Sequence, residues 1–395
     1  TYTKGAVFLS HNSAKGLEHR KSCYACITFN LLCITLQSDK INYDMSIAIT
    51  GTGSYIPSLV VPNDNFEGHD FLNADGSPFA HDNAVIIQKF KGITGIKERR
   101  YAENNLNTSD IGFLAAEKAI TDSGIDKETL DYIIFAHNFG DVSPNNIQSD
   151  MLPSLATRVK QHLRIKNPAC VAYDLIFGCP GWIQGVIQAN AFIKSGIAKR
   201  CLVIGGETLS RIVDPHDRDS MIYSDGAGAA IIEKKDNSGE ILSHASATYT
   251  QEEAYFLFFG ESYNKLKDDT KYIKMFGRKI YEFAVTYVPQ AMKNCLDESG
   301  LGIEDIKKIF IHQANEKMDD AIVKRFYGLF DKEMPDGIMP MNIGKLGNSS
   351  VATIPTLFDM VRKGKLENQN VQKGDVVIFA SVGAGMNVNA IIYRV

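Results

Sequence analysis

Apolar residues gather into short unbroken runs along this chain: Tyr132-Ile-Ile-Phe-Ala136, Cys201-Leu-Val-Ile204, Ile309-Phe-Ile311 and Val376-Val-Ile-Phe-Ala380. A run without polar alternation predicts a strand buried on both faces, as in a sheet covered by helices. An earlier strand is expected over Ser46-Ile-Ala-Ile-Thr50, running into a turn at Gly51-Thr-Gly53. Helical spacing fills the intervals. Ser109 is expected to cap a helix that reaches about Ser123 and stops at Gly124, and a second helix ends at Gly300. Strands alternating with helices predict a layered α/β fold.

One stretch of this pattern occurs twice. Ala116-Glu-Lys118, Asp122-Ser-Gly124 and Leu130-Asp-Tyr-Ile-Ile-Phe-Ala-His137 are echoed by Ala291-Met-Lys293, Asp297-Glu-Ser-Gly300 and Ile306-Lys-Lys-Ile-Phe-Ile-His312. Each copy reads as helix, glycine stop, acidic turn and buried strand. The separation is far longer than a solenoid period, so the expected architecture is two pseudo-symmetric halves with a crevice between them. The halves are assigned to residues 45–225 and 226–395. Residues 1–44 are rich in Ser, Lys, Asn and Cys with weak periodicity. They are expected to be a non-native or disordered N-terminal extension.

Composition narrows the class of partner. A net charge of −4 over 395 residues gives no electrostatic reason to expect nucleic acid or an anionic membrane. No apolar run approaches the ~18 residues of a membrane span. Seven cysteines, an odd number scattered along the chain, do not form a secreted disulfide framework and fit a reducing cytoplasm. Cys23 and Cys26 make a lone C-x-x-C with no second pair at zinc spacing, so no metal site is expected.

Cys179 stands in Phe177-Gly178-Cys179-Pro180-Gly181-Trp182, between the apolar run Ala169-Cys-Val-Ala-Tyr173 and a stretch of helical spacing. Pro180 suits a first helical turn. Unpaired N–H groups and the dipole at that helix start are expected to stabilise a thiolate and lower the thiol pKa. His312 follows the buried run Ile309-Phe-Ile311, at the carboxyl end of a strand, where α/β folds carry their sites. The other histidines have no setting judged comparable. Asn348, in Gly347-Asn-Ser-Ser350, could be an ordinary helix cap, which leaves the density of small residues around it unexplained. Gly383-Ala384-Gly385 follows another buried strand and allows backbone to approach a ligand closely. It lacks the third glycine of a dinucleotide fingerprint.

In this order, Cys179, Ser224-Asp-Gly-Ala-Gly228, His312-Gln-Ala-Asn315, Gly347-Asn-Ser-Ser-Val-Ala-Thr-Ile-Pro355 and the Gly383 loop resemble ketoacyl-ACP synthase III. The resemblance runs from about Met45 to Val395. It implies a five-layer αβαβα thiolase-like fold, a homodimer and a Cys-His-Asn active site. Cys179 would take an acyl group from a thioester. His312 and Asn348 would hold the carbonyl of malonyl-ACP as it loses CO2, and the Cys179 N–H and the Gly383–Gly385 loop would meet the oxyanion. Arg218, in Asp217-Arg218, matches an arginine that contacts the CoA nucleotide. Lys317 replaces an arginine that docks the carrier protein, keeping charge without the forked geometry. Acyl-CoA or acyl-ACP, a malonyl thioester and acyl carrier protein are the implied substrates and partners, with no further cofactor.

Departures accompany the match. Ile93 stands in the place of a family arginine, and no tryptophan precedes it to stack on adenine. Phe177 and Trp182 flank the cysteine where smaller residues are usual, and are expected to reshape the acyl tunnel. The reading is therefore 3-oxoacyl-ACP synthesis in fatty-acid initiation. The rivals are a specialised condensing enzyme taking a longer acyl or β-ketoacyl donor, and a non-condensing acyltransferase. Thiolytic chemistry is disfavoured because no cysteine follows Cys295 to serve as its base.

Overall fold

A computed structural model of the protein describes residues 46–144, 146–236, 238–265 and 269–395. The expectation for residues 1–44 lies outside the described residues. The first sheet uses β1 (Ile47–Tyr55), β2 (Tyr132–Ala136), β3 (Val171–Leu175), β4 (Arg200–Thr208) and β5 (Asp225–Lys234), in the order β1-β5-β4-β2-β3. The second uses β6 (Glu240–Thr248), then, beyond a hairpin of β7 (Leu257–Glu261) and β8 (Lys271–Met275), β9 (Ile306–Ile311), β10 (Val376–Gly383) and β11 (Asn387–Arg394). Its order is β6-β11-β10-β9.

The echo in the sequence is an echo in topology. In the first sheet β1, β5 and β4 are successively antiparallel and β4 runs parallel to β2. In the second, β6, β11 and β10 are antiparallel and β10 runs parallel to β9. Only β3, on the outer edge of the first sheet, lacks a counterpart. Because β5 is a central strand of the first sheet, the sheets divide after Lys234 and not at residue 225. Strand pairing, invisible to local pattern, moves the boundary.

Helices α1 (Thr108–Ser123) and α2 (Leu155–His162) cover the outer face of the first sheet, and α4 (Gly277–Ser299) and α5 (Glu316–Gly328) lie on the outer side of the second. Between the sheets lie α3 (Gly181–Lys194) and α6 (Thr353–Arg362). The continuous apolar runs now make sense: alternate residues serve different layers. Ile133 and Phe135 join the outer core, while Ile134 packs centrally with Trp182 and Val203. Likewise Val377 and Phe379 point to the central layer, and Ile378 and Ala380 to the outer one. Phe379 and Phe358 are 1% exposed, and truncating either to alanine should cost about 3–5 kcal/mol.

Two local expectations shift. Asn107, not Ser109, begins α1, with its N–H donating to Asp110 Oδ2 at 2.8 Å, while the Ser109 hydroxyl donates to Asp141 at 2.6 Å. Gly53 is not in a turn but inside β1, where a Cβ would sit 2.2 Å from the Ala115 carbonyl oxygen of α1. The glycine is there so the helix can press against the strand. Both copies of the echoed helix do end at a left-handed glycine, Gly124 and Gly300.

Candidate active site

Cys179 sits between the end of β3 and the start of α3, with Pro180 at φ −69° leading into the helix. Gly178 has φ +67°, and a Cβ there would lie 2.7 Å from both N and O of Ala384. On the facing segment, a Cβ on Gly383 would lie 2.4 Å from Cys179 N. The two glycines let the Cys179 loop and the loop after β10 interlock through their backbones.

His312 is fixed by its neighbours. Its N–H donates to Ala380 O at 2.9 Å, extending the pairing of β9 with β10. Gln313 Nε2 donates to Pro340 O at 2.8 Å, and its Oε1 accepts from the N–H groups of Asn342 and Ile343. Asn315 caps α5 by accepting from Met318 N–H at 3.1 Å. A clamp and a cap thus follow the histidine, which accounts for Gln313 and Asn315 in His-Gln-Ala-Asn. The imidazole is 4% exposed and its Nδ1 has no partner among the described residues. Burial pushes its pKa down to about 4, so it is neutral at pH 7.

Asn348 is pinned along its backbone: its N–H donates to Ile222 O at 3.0 Å, and its carbonyl accepts from Ser224 N–H at 2.9 Å. Its Oδ1 accepts from Ser350 N–H at 2.8 Å. That local turn settles the amide orientation and turns the Nδ2 hydrogens to other use.

Cys179, His312, Asn348, Gly383 and Ala384 line one cavity of about 320 Å³; Gly385 does not. The Cys179 sulfur accepts a hydrogen bond from Ser350 Oγ at 3.3 Å. Burial pushes the thiol up to about 11, only partly opposed by Ser350 and by the cysteine's own N–H. The expected lowering at the helix start is therefore reversed, because desolvation in an apolar cavity outweighs it.

The departures near the cysteine do not reach the cavity lining. Trp182 is 1% exposed, donates from Nε1 to Val203 O at 3.3 Å and packs edge-on to Phe379 in the central core. Phe177 is also absent from the lining, where its predecessor Ile176 appears instead. The apolar wall comes mainly from Leu209, Ile222 and Tyr223 and from the β7–β8 hairpin, through Leu257, Phe259, Ile273 and Met275. Arg218 is half exposed outside the cavity, with its guanidinium 5.2 Å from the Phe79 ring. Lys317 is exposed on the first turn of α5, between the lining residues Asn315 and Met318.

Sequence reasoning passed over the hairpin, and also Asn138, Glu207 and Ser350. Ser350 was inside a motif already singled out. Glu207 had a weak signal, as a carboxylate directly after the apolar run Cys201–Gly206.

Two like-folded halves with the cavity at their junction define a thiolase-like fold. Family models described as 3-oxoacyl-[acyl-carrier-protein] synthase III match residues 173–250 and, for its C-terminal domain, residues 296–395. The chain is 32% identical over 348 residues to beta-ketoacyl-[acyl-carrier-protein] synthase III 1 of Vibrio vulnificus, covering 88% of this chain and 98% of that one. It is 34% identical over 354 residues to the Clostridium acetobutylicum synthase III, with the same coverage of 88% and 98%. The crystal structure of the Aquifex aeolicus synthase III superposes with a TM-score of 0.73 at 29% identity, covering 88% of this chain and 100% of that chain. The chain belongs to the 3-oxoacyl-[acyl-carrier-protein] synthase III family.

Proposed function

We propose that this protein is an acyltransferase that condenses an acyl thioester with malonyl-ACP, releasing CO2 and giving a 3-oxoacyl-ACP, as in fatty-acid initiation. The observation that carries the reading is the convergence of Cys179 from the first half with His312 and Asn348 from the second on one cavity. In the first step the Cys179 sulfur attacks the donor carbonyl, and the thiol proton ends on the departing thiol. The Cys179 N–H and the backbone of the Gly383–Ala384 stretch, which lines the same cavity, would meet the oxyanion that forms.

In the second step a malonyl thioester loses CO2, and the electron pair becomes an enolate. A neutral His312 and the Asn348 Nδ2 suit this step, since each offers an N–H without burying a competing charge. The enolate carbon then attacks the Cys179 thioester and frees the thiol. The substrates are thioesters of CoA and carrier protein, and the scheme calls on no resident cofactor. Arg218 and Lys317 are proposed contacts for the CoA nucleotide and the acidic carrier protein. The unpaired thiols of Cys170, Cys179, Cys201 and Cys295 suit a reducing compartment such as the cytoplasm.

Two features sharpen the reading. The cavity of about 320 Å³ has largely apolar walls, which suits an acyl chain longer than acetyl. Edge strand β3 exposes Val171 by 47%, and Ile176 just beyond it by 60%. An apolar edge that no strand among the described residues covers favours a homodimer formed by strand pairing.

A panel of acyl-CoA donors of increasing chain length, with malonyl-ACP, tests the reading. Intact mass should show an acyl adduct that vanishes in Cys179→Ala, with labelled CO2 released in step with product. Turnover confined to acetyl-CoA would sink the longer-chain donor, and an adduct surviving in Cys179→Ala would sink the mechanism.

A further inference from the structure

The cysteine sulfur has a hydrogen-bond donor of its own, and that donor is itself held in place. Ser350 Oγ–H donates to Cys179 Sγ at 3.3 Å. The Ser350 oxygen accepts from Asn138 Nδ2 at 3.3 Å, and the same Nδ2 donates to Glu207 Oε1 at 2.6 Å. An amide nitrogen carries two hydrogens, so Asn138 uses one on each partner. Asn138 thus holds the Ser350 oxygen from one side while its hydroxyl proton goes to the sulfur. Glu207, at the end of β4, is 1% exposed and Ser350 is 5% exposed, while Asn138 between them is half-buried at the cavity wall.

The backbone points the same way. Ser350 has φ +52°, a left-handed conformation that a residue bearing a side chain seldom adopts. Strain of this kind persists where the surrounding structure over-determines it, which is typical of functional positions. Here it brings both the Ser350 N–H to Asn348 Oδ1 and the Ser350 hydroxyl to the sulfur. One residue thereby serves the nucleophile and the enolate-binding asparagine together.

We propose that Ser350 is a further catalytic residue, donating to the Cys179 sulfur to favour its thiolate, and that Asn138 and Glu207 are positioning residues acting through it. The role rests on Cys179 being the nucleophile. No bond to hydrogen is broken in this contact: the hydroxyl keeps its proton and stabilises charge on sulfur. The need for it follows from the burial that lifts the thiol to about 11. Other titratable groups around the sulfur are Glu207 from β4, and Tyr223 and His312 from the cavity wall. Glu207 raises the thiol pKa and His312 is neutral, so neither does what Ser350 does.

The test is the pH dependence of Cys179 alkylation by iodoacetamide on the full chain, followed by intact mass. Ser350→Ala should raise the apparent thiol pKa by about one unit, slowing alkylation at pH 7.5 about tenfold. Ser350→Gly relieves the backbone strain while also removing the hydroxyl, so it should slow alkylation equally. Asn138→Ala should slow it by roughly threefold, and adding it to Ser350→Ala should change nothing more, because it acts through the missing hydroxyl. Glu207→Gln and Glu207→Ala both remove the charge; Gln, which can still accept from Asn138, should react faster than Ala. Wild-type alkylation in Ser350→Ala, a clear difference between Ser350→Ala and Ser350→Gly, or additive losses in the double variant would each overturn the proposal. Because alkylation needs no acyl donor, it reads Ser350 even if the condensation reading fails in the adduct assay.

Discussion

His137 and His312 hold matching places in the two halves. Each follows the buried strand of its echoed unit, β2 in one and β9 in the other, and both side chains are almost wholly buried. Their surroundings differ. His137 Nδ1 accepts from Gly140 N–H at 3.0 Å and its Nε2 pairs with Asp174 at 2.9 Å. Asp174 in turn accepts from the N–H groups of Leu155 and Ala156 at the start of α2. Both ring nitrogens of His137 are thus committed to holding the fold. His312 lines the cavity, and its buried Nδ1 has no partner among the described residues. One duplicated position has become a brace in the first half and part of the cavity wall in the second.

The strongest way to break this contrast is to remove each ring in turn. His312→Ala should cut labelled CO2 release from malonyl-ACP by about 10²–10³, the cost of losing one oxyanion donor. Its melting temperature should stay near that of the wild type, since the deleted ring has an unsatisfied nitrogen. A thermal melt beside the CO2 assay checks both halves of the statement.

A second, slightly smaller effect concerns acid. His312 is neutral in the fold down to about 4, whereas an exposed imidazole protonates near its ordinary 6.5. Between those values the unfolded chain binds a proton that the native state refuses, so stability falls as pH drops from 6.5 towards 4. The loss should approach about 3 kcal/mol. Urea unfolding at pH 7 and pH 4.5 should show a larger acid penalty in the wild type than in His312→Asn. Equal penalties would mean that the ring is solvated.

The smallest effect belongs to the brace. His137→Ala should lower unfolding stability by about 1–3 kcal/mol, because Gly140 N–H loses its acceptor and the Asp174 pairing is lost. Turnover per folded molecule should fall far less than in His312→Ala. Denaturation curves paired with active-site titration by mass separate the two quantities.

The contrast also marks how far the sequence could be read. The repeat was legible because helix, glycine stop and buried strand are local patterns, and Gly124 and Gly300 stand where the pattern set them. Cys179, His312 and Asn348 were legible because each sits at a glycine-rich or strand-end junction. That His137 shares the setting of His312 was overlooked, although the repeat contained both. What distinguishes them is whether their nitrogens find partners from distant segments, and nothing local encodes that. The same holds for β5, assigned to the first sheet by pairing, and for Trp182, whose bulk is absorbed by a central core built from both sheets. The thiol pKa was misread because a helix start is a local feature and desolvation is not.

The interlock of Gly178 with Ala384, and of Gly383 with Cys179, has a consequence for how the chain acquires reactivity. These contacts join segments more than 200 residues apart. Contacts of such long sequence separation form late and slowly, after local helices and strand pairs have bound their own loops. Cys179 is therefore an ordinary thiol through most of folding. It gains the Ser350 contact and its cavity only when β10 and β11 have docked.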